Sequence, residues 1–145
     1  MIKVKQKEKI LVSACLAGVN CKYNGGNNGN EKIIEFTKNN DVIFVCPEQL
    51  GGLTTPRIGA ERLGERVVNK KGEDVTKEFY KGAEEVLNLV KKLNIKKAIL
   101  KSRSPSCGIN NIYDGTFTHN LIERDGVTAE LLRKNGVEVI SSDEF

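Results

Sequence analysis

Three short apolar runs, each breaking off at or shortly before a cysteine, constrain this chain more than any other feature. KILVSAC (9–15) reads as a buried strand that stops at small residues and Cys15. DVIFVC (41–46) reads as a second strand, closed by Cys46 and then by Pro47, which has no amide hydrogen to give a sheet ladder. KKAILKS (96–102) reads as a third, and RSPSCG follows it with Cys107. Helical patterns separate these runs. Asn30 is placed to cap EKIIEFTKNN (31–40). In DVTKEFYKGAEEVLNLVKKLN (74–94), Phe79, Tyr80, Ala83, Val86, Leu87, Val90 and Leu93 recur at helical spacing behind Thr76 as the expected cap. GVTAELLRKNG (126–136) is a last helix, expected to be capped by Thr128 and stopped by Gly136, before the strand VEVIS (137–141). Alternation of this kind predicts an α/β layered fold with a mostly parallel, Rossmann-like sheet. Parallel strands point their carboxyl ends one way, so Cys15, Cys46 and Cys107 are expected at one sheet edge, where such folds bind ligands.

The remaining segments narrow the picture. At 145 residues the chain suits a single domain, 1–145, with a core that needs no disulfide staples. Four cysteines without a C-x-x-C pair argue against a thioredoxin-type dithiol or a zinc knuckle and for reduced thiols or ligands gathered from distant segments. The N-terminal MIKVKQKEKI has no apolar leader core, and no run of about 18 apolar residues occurs, so a soluble cytoplasmic protein is expected, with no membrane partner. A net charge of +4 suits an anionic small molecule and compels nothing. LAGVNCKYNGGNNGN (16–30) is loop by its Gly and Asn content. Gly51 to Gly72 reads as an ordered loop, with a weak hairpin signal where RVV runs into NKKG, and long loops in compact domains are usually functional. Neither a G-x-G-x-x-G after a strand nor a phosphate-loop motif occurs, so nucleotide cofactors have no support.

Any one of these cysteines alone is ordinary, since free thiols pack as small core hydrophobes. Three at equivalent topological positions, beside Pro47 and Glu48 or Pro105 and Gly108, instead suit a backbone turned toward a ligand. Zinc with a further ligand, or three corners of a [4Fe-4S] cluster, both satisfy that thiol set, and the residues alone do not choose.

In order and spacing, VSACLAGVNCKYNGG, CPEQLGGLTTPR, KSRSPSCG, YDGTF and GVTAELLRKNGVEV resemble the thiouracil desulfurases, over about residues 9 to 140. The resemblance implies a [4Fe-4S] cluster held by Cys15, Cys46 and Cys107, with the fourth iron open to the sulfur of a thiolated pyrimidine. Cys21 is then either a fourth ligand, which would close the cluster into an electron-transfer or structural module, or a loop thiol beside it. The expected chemistry is non-redox hydrolysis of C=S, with Glu48 handling protons and Ser104 orienting water or the base. Each has a plainer role available, Glu48 as a loop acid or helix cap and Ser104 in local backbone bonds. Ser13, Ser102, Tyr23, Asn24 and Arg57 are the expected substrate contacts, and Arg57 and Glu61 in PRIGAER either anchor the pyrimidine or support the loop, a solvated ion pair being the plainer fate of such residues. Relatives are expected to carry Tyr-Asp where this chain has Tyr23-Asn24. His119, the one histidine, reads as a surface residue. The expected partner is a small thiolated pyrimidine; a thiolated base within RNA is compatible with the charge but has no basic run or aromatic RNA motif behind it. A monomer and a homodimer fit equally.

Overall fold

The computed structural model describes residues 8–145; the first seven residues of the lysine-rich N-terminal stretch lie outside the described residues. Four parallel strands form the central sheet: β1 (Lys9–Ser13), β2 (Asp41–Val45), β5 (Lys97–Leu100) and β8 (Glu138–Ser141). They lie in the order β2-β1-β5-β8. The chain steps from β1 outward to β2 and then crosses back to β5 on the other side of β1, so the strand order reverses between β1 and β5. The crevice beyond the carboxyl ends at such a reversal is the usual ligand site of open parallel sheets.

Helices cover both faces. The helix α1 (Glu31–Lys38) lays Ile33 and Phe36 against Ile10, Val12, Ile99 and Ile140. On the opposite face, α3 (Thr76–Lys92) and α4 (Val127–Lys134) bury Val86, Val90, Ala129 and Leu132 against Leu11, Val45, Ala98 and Leu100. Both faces of the inner strands are therefore dry, which is why they read as unbroken apolar runs. Asn30 caps α1 as expected, its side chain accepting from the amides of Lys32 and Ile33.

The other two caps differ from the sequence expectation. Thr76 is the first residue of α3; Asp74 Oδ1 accepts its amide at 2.9 Å, and the Thr76 hydroxyl instead accepts from Val67 N at 2.8 Å, tying the helix to a hairpin strand. Thr128 lies inside the first turn of α4, with Gly126 at the cap. The amides of Val127, Thr128 and Ala129 donate to the carbonyls of Pro105 and Ser106, so the cysteine loop itself satisfies the helix end.

Residues 51–72 are also more ordered than a loop. They contain an antiparallel hairpin, β3 (Ala60–Leu63) and β4 (Arg66–Asn69), in which Leu63 pairs with Arg66 around Gly64-Glu65. NKKG forms a second turn, closed by a single bridge between Val68 and Asp74. A further pair, β6 (Ile112–Tyr113) and β7 (Leu121–Ile122), carries the YDGTF turn. Two-residue strands leave no period to read. Among the described residues no helix is long and apolar enough to cross a membrane.

Candidate active site

The strand ends deliver the thiols where topology expects them. Cys15 sits in a single 3-10 turn, Ala14–Ala17, directly after β1. Cys46 follows β2 and caps the short helix α2 (Pro47–Leu50). Cys107 ends the turn after β5. All three line one cavity of about 490 Å³, and Cys21 joins them from the Gly/Asn-rich loop. The four are free thiols. Among the described residues no three His, Cys, Asp or Glu side chains converge tightly enough to hold a single metal ion.

Each thiol has a distinct setting. Cys107 is buried, and its thiol is pushed up to about 12 by desolvation, against a hydrogen bond from Ser13 that works the other way. Cys15 is raised by burial, while Asn28 Nδ2 donates to its sulfur at 3.5 Å. Cys21 is pushed up to about 12, first by burial and then by the charges of Cys46 and Cys15. Cys46 Sγ in turn donates to the Cys21 carbonyl at 3.6 Å.

The turn that presents Cys107 is held by Ser104, whose Oγ accepts from the amides of Ser106 and Cys107 at 3.1 and 3.0 Å. Ser106 is buried and pairs its hydroxyl with Thr128 Oγ1 at 2.7 Å, fastening the turn to α4. Two glycines allow the fit: a Cβ on Gly108 would lie 2.7 Å from Ser104 O, and one on Gly126 would lie 2.5 Å from the carbonyl carbon of Ser106. Cys46 is set in the same manner from the other side. A Cβ on Gly82 would lie 2.0 Å from Pro47 O and one on Gly51 would lie 1.9 Å from Glu78 O, so α2 rests on α3 backbone to backbone.

Glu48, in the first turn of α2, lines the cavity. Its Oε2 accepts from Arg57 Nε at 2.7 Å. The rest of the guanidinium goes to Cys21 O at 2.9 Å, Thr55 Oγ1 at 2.8 Å and Thr54 O at 3.1 Å. Arg57 borders the cavity, and its donors tie three segments together. Ser13, at the carboxyl end of β1, accepts from Lys101 N at 3.1 Å across the strand reversal. Ser102 is buried at the cavity wall, its amide donating to Ser142 Oγ. Tyr23 is half-exposed on the wall, its ring 3.5 Å from where a Cβ of Gly59 would lie. Asn24 is not among the lining residues; its side chain closes a local turn by accepting from Gly26 N at 2.9 Å. Glu61 lines the cavity while its Oε1 accepts from the amides of Gly115 and Phe117, which fixes the YDGTF turn. His119 is exposed as expected, and it borders the cavity rim edge-on to Tyr113.

Lys101 and Asn28 are among the lining residues that the sequence reading does not single out. Lys101, half-buried, donates through Nζ to Ser102 O at 2.9 Å and Ser102 Oγ at 3.2 Å. Burial pulls its ammonium below the usual lysine range, and the nearby Cys15 charge opposes that. A lysine that ends an apolar strand beside the strand reversal was the available signal. Asn28 had none, because nothing distinguishes it from the other asparagines of its loop.

The fold and site thus define a parallel α/β protein that gathers four free thiols from separate segments into one cavity at its strand ends. Residues 10–144 match the family described as 2-thiouracil desulfurase. The chain belongs to that family. It is 43% identical to the uncharacterized protein YbbK of Bacillus subtilis (strain 168), covering 94% of this chain and 97% of that one. It also resembles the solved structure of the [4Fe-4S]-dependent thiouracil desulfidase TudS at 44% identity and a TM-score of 0.91, over 96% of this chain and 93% of that one.

Proposed function

We propose that this protein is a desulfurase that hydrolyses the C=S bond of a small thiolated pyrimidine, giving thiouracil's oxygen analogue and sulfide, at a [4Fe-4S] cluster held by Cys15, Cys46 and Cys107. The observation that carries this reading is that three strand ends bring those thiols around one cavity. The donor set fits the group: thiolates are the ligands of such clusters, and three of them line this one cavity at strand ends. Ligated by three protein thiolates, the cluster would supply one iron as a soft Lewis acid for the thione sulfur.

The chain's own groups then divide the work. A cavity of about 490 Å³ lies in the range that encloses small ligands. Arg57 engages Oε2 of Glu48, which leaves Oε1 to take the proton of the attacking water. Ser104 Oγ already accepts two amides, so its hydroxyl hydrogen is free to be donated to that water or to the ring. Lys101 places a partly desolvated cation beside the thiols and balances the charge of departing sulfide. Tyr23 forms a flat wall for the ring. The net reaction replaces sulfur by water's oxygen and releases hydrogen sulfide without electron transfer. Four unbridged thiols suit a reducing cytoplasm.

Anaerobic loading with iron and sulfide, followed by 2- and 4-thiouracil, tests the reading through loss of thione absorbance and sulfide release. Turnover that vanishes in Cys15→Ala, Cys46→Ala and Cys107→Ala is expected. A stable cluster with no turnover on any thiolated pyrimidine would overturn it in favour of a non-catalytic iron-sulfur module.

A further inference from the structure

Cys21 has no part in the reaction above, yet it is buried, with 3% of its surface exposed, in the same cavity as the three ligands. Among the described residues, Cys46 Sγ donates to the Cys21 carbonyl at 3.6 Å, whereas Cys15 Sγ accepts from Asn28 Nδ2. That carbonyl is pinned by Arg57 Nη2 at 2.9 Å, which keeps the two segments side by side. Cys46 is the more accessible of the two, half-buried at the cavity wall. Cys21 lies in a Gly/Asn-rich loop between Gly18 and Gly25, both at positive φ.

We propose that Cys21 is a resolving thiol for Cys46: when the cluster is absent, peroxide oxidises Cys46 and Cys21 captures it as a reversible disulfide before it is lost as a ligand. The first step converts the Cys46 thiol and hydrogen peroxide into a sulfenic acid and water. In the second, Cys21 sulfur attacks the Cys46 sulfur, a disulfide forms, and the hydroxyl leaves with the Cys21 proton as a second water. Two thiols lose two electrons in all, and peroxide is reduced to two waters. A dithiol reductant reverses the product. Without Cys21, a second peroxide carries Cys46 on to sulfinic acid, which a dithiol does not repair. The disulfide chemistry stands on the two thiols alone, whereas its protective purpose rests on Cys46 being a cluster ligand.

The test is peptide mapping of the metal-free protein after stoichiometric hydrogen peroxide and quenching with iodoacetamide. The expected result is a Cys21–Cys46 linked peptide as the main product, restored by dithiothreitol to four alkylatable thiols. In Cys21→Ser and Cys21→Ala, both checked for native melting, Cys46 sulfinic acid is expected in its place, and iron loading no longer recovers after reduction. A main product linking Cys15 or Cys107, or sulfinic acid at Cys46 in the unsubstituted protein, would overturn the proposal. The same peroxide dose on the iron-loaded protein separates this idea from the ligand assignment. A linked peptide formed while the iron stays bound would remove Cys46 from the ligand set and leave the pair intact.

Discussion

Replacing Arg57 by Met asks whether that guanidinium is a structural clamp or a free substrate contact. Its side chain is only 8% exposed and its partner Glu48 16%, so the pair is largely screened from water. Deleting one member of such a pair leaves the other charge buried without compensation, at about 3–5 kcal/mol. Cys21 O, Thr54 O and Thr55 Oγ1 lose donors at the same time, which pushes the cost toward the upper end. For a chain of this length, each kcal/mol moves the melting temperature by about 2–4 °C. A fall of about 10–15 °C in the metal-free protein is therefore expected, with urea midpoints moving in step. Glu48→Gln alone removes the charge but keeps the shape, so the double variant is expected to recover about 1–3 kcal/mol of the summed losses. Glu48→Gln is also expected to load iron normally while kcat falls about 100-fold or more. Stability within about 0.5 kcal/mol of the parent in Arg57→Met, with only KM raised, would refute the clamp and return Arg57 to the substrate.

Three further outcomes follow from other contacts. Gly82→Ala puts a better helix former in mid-helix, worth about 1 kcal/mol in an open helix, yet its Cβ would lie 2.0 Å from Pro47 O. A net loss of about 2 kcal/mol or more and a lower iron stoichiometry are expected, because α2 is capped by Cys46 and carries Glu48; thermal melting and iron assay check this. Asn28→Ala removes the amide that donates to Cys15 Sγ, so the loaded protein is expected to show a lower reduction potential by electrochemical titration. The Cys107 thiol is held up to about 12 in the fold against 9.0 for an ordinary thiol. A raised thiol value favours the neutral form in the native state, so that stability is complete below about pH 9 and drains away as pH climbs toward 12. Urea midpoints of the metal-free protein are expected to fall through that window, and Cys107→Ala to flatten the slope.

What the sequence discloses and what it hides divide along a physical line. The buried strands, the helices and the shared direction of the strand ends follow from apolar periodicity and element order, both local properties of the chain. That is why Cys15, Cys46 and Cys107 were legible as a group from KILVSAC, DVIFVC and SPSCG. The devices that aim them are contacts between segments far apart, made largely by atoms every residue possesses. Gly82 looks like a flaw in a helix until Pro47 O is found against it, and Gly126 looks like an ordinary helix cap until Ser106 is found pressed on it. Thr128 was misread for the same reason: a cap is expected to bond its own helix, but here loop carbonyls fill that need and free the hydroxyl for Ser106. Arg57 and Glu61 carry the lesson to the cavity rim. Charged residues in a long loop suggest ligand contacts, yet both direct their hydrogen bonds to neighbouring segments, Arg57 to the Cys21 loop and Glu61 to the YDGTF turn. A cavity that must accept a small flat molecule and exclude bulk water needs rigid walls, and in this chain such walls are assembled by close backbone contacts and bonded charges across segments. Under the proposed hydrolysis, the chemistry would fall to lining groups such as Oε1 of Glu48, the hydroxyl hydrogen of Ser104, the ammonium of Lys101, and the thiols.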